Sequence, residues 1–124
     1  MSVVLESSDG HELKVNAWNW GALHAIVAAS RLFPAEVWEP KRSNGGGALD
    51  AKQVATLADF LAHRVLPGVK DGERIFGDGT VTSAPDDGTL YRGADTWRNY
   101  SLHREVLVEV IAFLGRASGP VTIH

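Results

Sequence analysis

The residues best suited to acid–base chemistry precede and open the last predicted helix. His103 is expected in the first turn of this helix, within its apolar face, where the helix dipole disfavours a charged imidazolium. A neutral, half-buried histidine can act as a general base, and Asp95, Arg92 or Tyr100 of the preceding segment could line a pocket with it. A core histidine held by one hydrogen bond is the simpler interpretation, and the sequence favours it.

Metal binding is not predicted. A helical zinc site places two imidazoles three or four residues apart, and none of the five histidines has another within four positions. His63 shares a helix face with Asp59, a pair expected to make only a weak solvated contact. The chain has no cysteine, which excludes thiolate metal sites, disulfides and cysteine nucleophiles. We therefore expect no metal and no cofactor.

A run of three glycines stands in "SNGGGALD" at residues 43–50. A Walker loop would need lysine and serine or threonine after its second glycine, and these are missing. In the dinucleotide fingerprint the third glycine would fall on Asp50, whose carboxylate would repel a pyrophosphate. The sequence predicts a mobile turn, followed by a helix that Asp50 caps.

The strongest functional signal is a set of aromatic and arginine side chains in two segments, "WNW" at 18–20 and "TWRNY" at 96–100. Trp18 falls on the polar side of a predicted hairpin, whereas Trp20 falls on the apolar face of the first helix. Tryptophan, tyrosine and arginine dominate binding hot spots because they bury a large area and keep a polar group available. The predicted binding residues are Trp18, Arg92, Trp97, Arg98 and Tyr100.

The elements that position these residues predict a single α+β domain over residues 1–124, with three helices packed on a mainly antiparallel sheet. Alternating residues on either side of Asp9-Gly10 predict a β-hairpin with a two-residue turn. The predicted helices run from a cap at Asn19 towards Pro34, from Asp50 to Val65, and from Asn99 or Ser101 to Ala117. The segment "PVTI" is predicted to be a final strand.

Residues 68–100 are rich in glycine and aspartate. The segments "ERIF", "TVTS" and "TLYR" predict three short strands joined by "GDG" and "APDDG" turns. One long irregular loop is the competing interpretation, which is uncommon in so small a domain unless the loop is functional.

Three segments together resemble a set of small bacterial proteins of unknown function. They are the W-x-P step "WEP", the glycine turn with its D-A-x-x-x-A-x-L-A helix in "NGGGALDAKQVATLADFLA", and the late helix and strand "LVEVIAFLGRASGPVTI". The resemblance covers about half the chain. It departs from the pattern near the end, where "ASGPVTI" lacks a paired glycine and an aromatic residue. It implies a bacterial protein and carries over no catalytic residue.

Net charge and composition exclude some classes of function and favour others. A formal net charge of -3 provides no basic field for nucleic acid or an anionic membrane. The first ten residues predict no signal peptide, and the lack of cysteine fits the cytoplasm. The leading hypothesis is a protein-binding module without catalysis, such as an inhibitor or immunity-type partner of a bacterial toxin or enzyme. The alternatives are a small enzyme or ligand-binding protein with a pocket around His103, and a homodimer.

Overall fold

Two antiparallel sheets form the framework of the computed structural model, which describes residues 2–42 and 47–124. The first sheet has the order β2-β1-β7-β3, and the second has the order β5-β4-β6. The strands are β1 (Ser2–Ser7), β2 (Glu12–Asn16), β3 (Gly47–Leu49), β4 (Arg74–Phe76), β5 (Val81–Thr82), β6 (Ser101–His103) and β7 (Val121–Ile123). The α+β class and the antiparallel pairing are confirmed, although the strands form two sheets.

The described residues contain five helices, so the prediction of three is wrong. They are α1 (Ala17–Ser30), α2 (Ala35–Trp38), α3 (Ala51–Phe60), a π-helical segment (Leu61–Val65) and α4 (Arg104–Arg116). With four residues, α2 is too short to show a helical period, and the π-helical segment continues α3 without a break in the apolar pattern. Short 3-10 turns occupy Glu39–Arg42, Leu66–Gly68 and Gly93–Asn99.

The predicted first hairpin is confirmed, and the predicted final strand is β7. Strands β1 and β2 pair in the register Val3↔Val15 and Leu5↔Leu13. The turn has three residues rather than the predicted two, because Gly10 alone adopts a positive φ, of 91°, and closes the loop as a bulge. This difference leaves the facing of the side chains unchanged, so Val15 is buried.

The first helix starts earlier than predicted. Asn16 caps it by accepting a hydrogen bond from Asn19 N (2.9 Å), so Asn19 is not the cap. Asn19 is buried, and its Oδ1 accepts a hydrogen bond from His103 N (2.8 Å), which ties α1 to β6. At the other end the helix stops at Arg31, which adopts a left-handed φ of 57°, and Pro34 caps α2 instead of ending α1.

Helix α3, which corresponds to the second predicted helix, has the predicted cap. Asp50 accepts a hydrogen bond from Gln53 N (2.8 Å), and the Gln53 side chain accepts one from Asp50 N (2.9 Å), which completes a capping box. The predicted glycine turn is only partly described, since residues 43–46 lie outside the described residues. Its last part is not a turn, because Gly47–Leu49 form β3 and pair with β7.

One core joins the two sheets to the longer helices. Helix α1 packs on β6, α3 packs on α4, and α4 also contacts β2 and β6. The largest fully buried side chains are Trp20, Trp38, Leu5, Leu23, Leu49, Leu57, Leu61, Leu102, Leu107 and Ile123. None of the described helices is long and apolar enough to cross a membrane.

Candidate functional site

Residues 68–100 supply strands β4 and β5 of the second sheet and line most of an open cleft beside it. Two of the three predicted strands are present, as β4 and β5, and their three-residue turn places Gly79 at a φ of 91°. The Phe76 N–H donates a hydrogen bond to Thr80 O (2.8 Å) where this hairpin closes. The turn predicted at "GDG" is therefore confirmed.

The third predicted strand, "TLYR" at 89–92, is wrong. Residues 83–92 form an irregular segment, and the Asn99 side chain takes the place of a neighbouring strand. Its Oδ1 accepts a hydrogen bond from Tyr91 N (2.7 Å), and its Nδ2 donates one to Tyr91 O (2.9 Å). Both backbone groups of Tyr91 are thereby satisfied without a sheet.

This segment, the β4–β5 hairpin and the 3-10 turn Gly93–Asn99 enclose a cleft of about 710 Å³, which we call the aromatic cleft. It opens to solvent, and Trp18 from the first turn of α1 is one of its lining residues. The side chains that give the cleft its character are Trp18, Arg74, Phe76, Leu90, Tyr91, Trp97 and Arg98. A cleft of this size falls in the range of ligand-binding sites and is large enough for several side chains.

Ring contacts fix the two exposed tryptophans of the cleft. The Trp97 ring stands edge-on to Phe76, with centroids 5.3 Å apart and an interplanar angle of 76°. Trp18 packs on Tyr100 with centroids 5.0 Å apart. Tyr100 in turn lies against Gly21 of α1, where any Cβ would approach its Cδ1 to 2.5 Å. The glycine therefore lets Tyr100 support Trp18.

Two arginines of the cleft lie over aromatic rings. The Arg74 guanidinium is 5.0 Å from the Phe76 centroid, and it also donates hydrogen bonds to Ala84 O (3.1 Å) and Ser101 Oγ (3.0 Å). Arg74 and Phe76 can meet because residues two apart on a strand share a face. The Arg98 guanidinium is 4.3 Å from the Tyr91 centroid, a cation–π distance.

Three carboxylates, Asp86, Asp87 and Asp95, also line the cleft. The hydroxyl and backbone N–H of Thr89 lower the pKa of Asp87, which keeps this carboxylate ionised through neutral and mildly acidic pH. Asp86 accepts a hydrogen bond from Gly88 N (3.3 Å). The ion pairs formed among the described residues do not involve Asp87 or Asp95.

The structure brings most of the predicted binding residues together. Trp18, Trp97 and Arg98 line the aromatic cleft, and Tyr100 supports Trp18 from beside it. Arg92 is exposed and does not line the cleft; its backbone carbonyl accepts a hydrogen bond from Asp95 N (3.3 Å). The two segments that the sequence singles out therefore meet in space.

His103 differs in position from the prediction. It precedes α4 as the N-cap residue, because residues 101–103 pair with β4 instead of starting the helix. Its side chain is about one-third exposed, and its Nε2 lies 3.5 Å from a carboxylate oxygen of Asp86. Asp86 lines the aromatic cleft, whereas His103 itself does not. The carboxylate beside His103 is thus Asp86 and not Asp95, the residue the sequence suggests.

The remaining histidines do not converge. Each of three exposed histidines lies beside one carboxylate: His11 near Asp9 (3.8 Å), His63 near Asp59 (3.3 Å) and His124 near Glu6 (3.1 Å). The predicted contact between His63 and Asp59 is confirmed. Across residues 2–42 and 47–124, no group of three histidine, aspartate or glutamate side chains could hold a metal ion.

The sequence did not point to six residues that line the cleft, namely Arg74, Phe76, Asp86, Asp87, Leu90 and Tyr91. The alternation in "ERIF" could have placed Arg74 and Phe76 on one face, but nothing local shows that Trp97 covers this face. "APDDG" is typical of a turn, which hides the fact that its carboxylates border a cleft. The resemblance to small bacterial proteins remains a prediction. Comparison of the chain with protein-family models, curated proteins and solved structures gives no match.

Proposed function

We propose that this chain is a protein-binding module and that the aromatic cleft is its recognition surface. One observation carries the proposal. Among the described residues, four large apolar side chains are exposed, and three of them, Trp18 (44%), Leu90 (66%) and Trp97 (45%), line this one cleft. Water-exposed tryptophans beside arginine are the usual composition of an interface hot spot.

The charge of the chain indicates which kind of partner it would bind. The acidic chain, with its formal charge of -3, suits a basic protein. We propose that the module acts in the cytoplasm as an inhibitor or immunity-type partner of a bacterial toxin or enzyme. Such a role needs a preformed surface and no chemistry. Contacts between Trp97 and Phe76 and between Trp18 and Tyr100 support a preformed surface.

A second candidate is a small enzyme or ligand-binding protein, and one observation favours it. His103 lies 3.5 Å from Asp86, and Asp86 lines a cleft large enough for a small molecule. A carboxylate beside an imidazole orients the ring and strengthens it as a base. In this second role His103→Ala would abolish ligand binding or turnover, whereas protein binding through the tryptophans would persist.

A binding assay with three matched proteins tests the proposed function. The immobilised chain is used to capture partners from lysate, and each captured partner is then purified and titrated against the wild type. The triple variant Trp18→Ala/Trp97→Ala/Arg98→Ala should bind the partner at least about 30-fold more weakly, since hot-spot residues each contribute about 2 kcal/mol or more. Val108→Ala, which removes the exposed apolar side chain outside the cleft, should bind as the wild type does.

Two results would reject the proposed function. One is that no purified partner binds the wild type, and the other is that the triple variant binds equally well. Light scattering across concentrations separates the homodimer: a second copy as the partner would give a wild-type mass that doubles with concentration, and the triple variant would stay monomeric.

A further inference from the structure

We propose that the aromatic cleft receives a basic segment of the partner protein, with an arginine or lysine side chain lying between the tryptophan faces and the aspartates. This inference rests on the proposed function and specifies the chemistry of the partner. It is carried by the ring faces, by the charges that line the cleft, and by how those charges are already used within the chain.

The ring faces of the cleft already accept cations. Arg74 lies over Phe76 and Arg98 lies over Tyr91, at 5.0 and 4.3 Å from the ring centroids. Trp18 and Trp97 are larger rings, which attract cations more strongly, and both remain exposed. An incoming guanidinium or ammonium would therefore meet the same kind of surface that the chain uses for its own arginines.

The charges of the cleft also favour a cation. Its lining carries three carboxylates, Asp86, Asp87 and Asp95, against two guanidinium groups, so the sum is -3 + 2 = -1. The Arg74 guanidinium is engaged by Ala84 O and Ser101 Oγ, which leaves it less available to an anion. Asp87 and Asp95 take no part in the ion pairs of the described residues, although the nearby Arg74 charge contributes to lowering the pKa of Asp87.

The open shape suits a chain segment better than a small cation. The cleft measures about 710 Å³, far more than one ammonium group needs, and residues 83–90 of its irregular wall are exposed. A basic side chain would fill the aromatic part, and its flanking backbone would lie along the exposed wall near Leu90.

Three capped pentapeptides test this inference directly. They carry arginine, citrulline or glutamate at positions 2 and 4, with glycine elsewhere, and are titrated by calorimetry and tryptophan fluorescence. Citrulline keeps the shape of arginine and removes its charge. The arginine peptide should bind about tenfold more tightly than the citrulline peptide, which corresponds to the strength of a cation–π contact reinforced by a carboxylate. Its affinity should fall as salt is raised.

A double variant identifies the carboxylates. Asp87→Asn/Asp95→Asn should weaken binding of the arginine peptide about fivefold or more, and the amide introduced at position 87 still offers an oxygen to the Thr89 N–H. Glu109→Gln, an exposed carboxylate on α4 outside the cleft, should leave it unchanged. The inference is overturned if the arginine peptide shows no saturable binding, if citrulline or glutamate binds equally well, or if the double variant binds as the wild type does.

The same double variant separates this inference from the proposed function. If the purified partner is lost by the triple tryptophan–arginine variant but retained by Asp87→Asn/Asp95→Asn, the cleft is a protein-binding site and the basic occupant is wrong. If the triple variant retains the partner, the proposed function itself fails.

Discussion

The four tryptophans form two pairs with opposite environments. Trp20 and Trp38 are 1% and 2% exposed, and their indole N–H groups donate hydrogen bonds to Lys41 O (2.8 Å) and His24 O (2.9 Å). Trp18 and Trp97 are nearly half exposed, and no described residue accepts a hydrogen bond from either indole. The indole N–H groups of the first pair have acceptors within the described residues, and those of the second pair do not.

The contrast arises from small differences in position. Trp18 and Trp20 are two residues apart on α1, which separates their side chains by about 200° around the helix. One therefore points into the core and the other points to the aromatic cleft. The same residue type stabilises the fold at one position and, at the other, lies exposed on the proposed binding surface. The position of a tryptophan decides which role it has, and a buried indole N–H then needs a partner within the chain.

The largest expected effect is on the buried pair. Trp38 stacks on His24, with centroids 4.8 Å apart and planes at 8°, so Trp38→Ala removes a buried ring and leaves a cavity. We expect it to lower the free energy of unfolding by about 3–5 kcal/mol. Trp18→Ala should lower it by less than about 1 kcal/mol, because its ring is exposed. Chemical denaturation measures both.

A milder variant keeps this comparison informative if Trp38→Ala does not fold. Trp38→Phe retains a ring but loses the N–H that donates to His24 O, and should cost about 1–3 kcal/mol. Equal losses for the variants of Trp18 and Trp38 would show that the two pairs do not differ in role.

The next largest effect on stability is expected at the contact between Gly21 of α1 and Tyr100, the residue that packs on Trp18. A Cβ at Gly21 would lie 2.5 Å from Tyr100 Cδ1, so Gly21→Ala must displace the ring that holds Trp18. We expect a net loss of about 1–2 kcal/mol in thermal or chemical unfolding, since overpacking outweighs the gain in helix propensity. In a Tyr100→Ala background the same substitution should be neutral or stabilising.

Gly115 provides the matched control. It is the penultimate residue of α4, and a Cβ there would meet nothing within 4 Å, so Gly115→Ala should stabilise the protein by up to about 0.5 kcal/mol, less than in a helix interior. If both alanine variants stabilise the protein to the same extent, Tyr100 does not depend on the space at Gly21.

Local patterns predict much of this fold because they are set by nearby residues. Apolar spacing predicts the stripe that begins at Val54 and Leu57, and Asp50 is the expected cap. Asp9-Gly10 predicts the first hairpin. The alternation of the hairpin places Trp18 on the polar side, and Trp18 is exposed, although it lies in α1 and not in β2. Each of these inferences needs only a few neighbouring residues.

The errors fall where distant residues decide. Ser101–His103 extend a helical pattern in the sequence but pair with β4, which lies more than twenty residues earlier in the chain, as Ser101 with Phe76 shows. The segment at 89–92 has the composition of a strand, yet the Asn99 amide binds Tyr91 in place of a partner strand. The cleft is lined by residues of α1, of the β4–β5 hairpin and of residues 83–99, which are far apart in the sequence. The sequence could suggest single binding residues such as Trp97, but it could not show which residues meet in one cleft.

The pH dependence of stability tests the buried environment of His24, which contacts Trp38. Burial lowers the pKa of His24 below its ordinary value of 6.5, although the hydrogen bond to Trp38 O (2.8 Å) and the Glu39 charge act to raise it, and Arg42 acts to lower it. The folded state therefore binds fewer protons than the unfolded state. The contribution of His24 to stability is complete above pH 6.5 and is lost as the pH falls through the folded pKa.

Denaturation at several pH values between about 7.5 and 5.5 measures this slope. The variant His24→Gln should be less stable at neutral pH and should lose less stability on acidification. The other four histidines are the same in both proteins, so the difference between the two slopes reports on His24 alone. Identical slopes would contradict a neutral, buried His24.

The smallest expected change in global stability is in the wall of the cleft. Asn99→Ala removes both hydrogen bonds to the Tyr91 backbone, but water can replace them in this half-exposed segment. We expect a loss of about 0.5–1 kcal/mol in the free energy of unfolding. Thr96→Ala is the control, since Thr96 Oγ1 donates to Gly93 O (2.7 Å) in the same 3-10 turn without touching the wall.

Hydrogen exchange and partner binding reveal what global stability does not. The Tyr91 amide should exchange faster in Asn99→Ala than in Thr96→Ala, because its acceptor is a side chain that the first variant removes. Binding at the cleft should weaken in the first variant alone, since a looser wall must be ordered when the partner binds. Equal exchange of Tyr91 in the two variants would mean that Asn99 does not hold this wall in place.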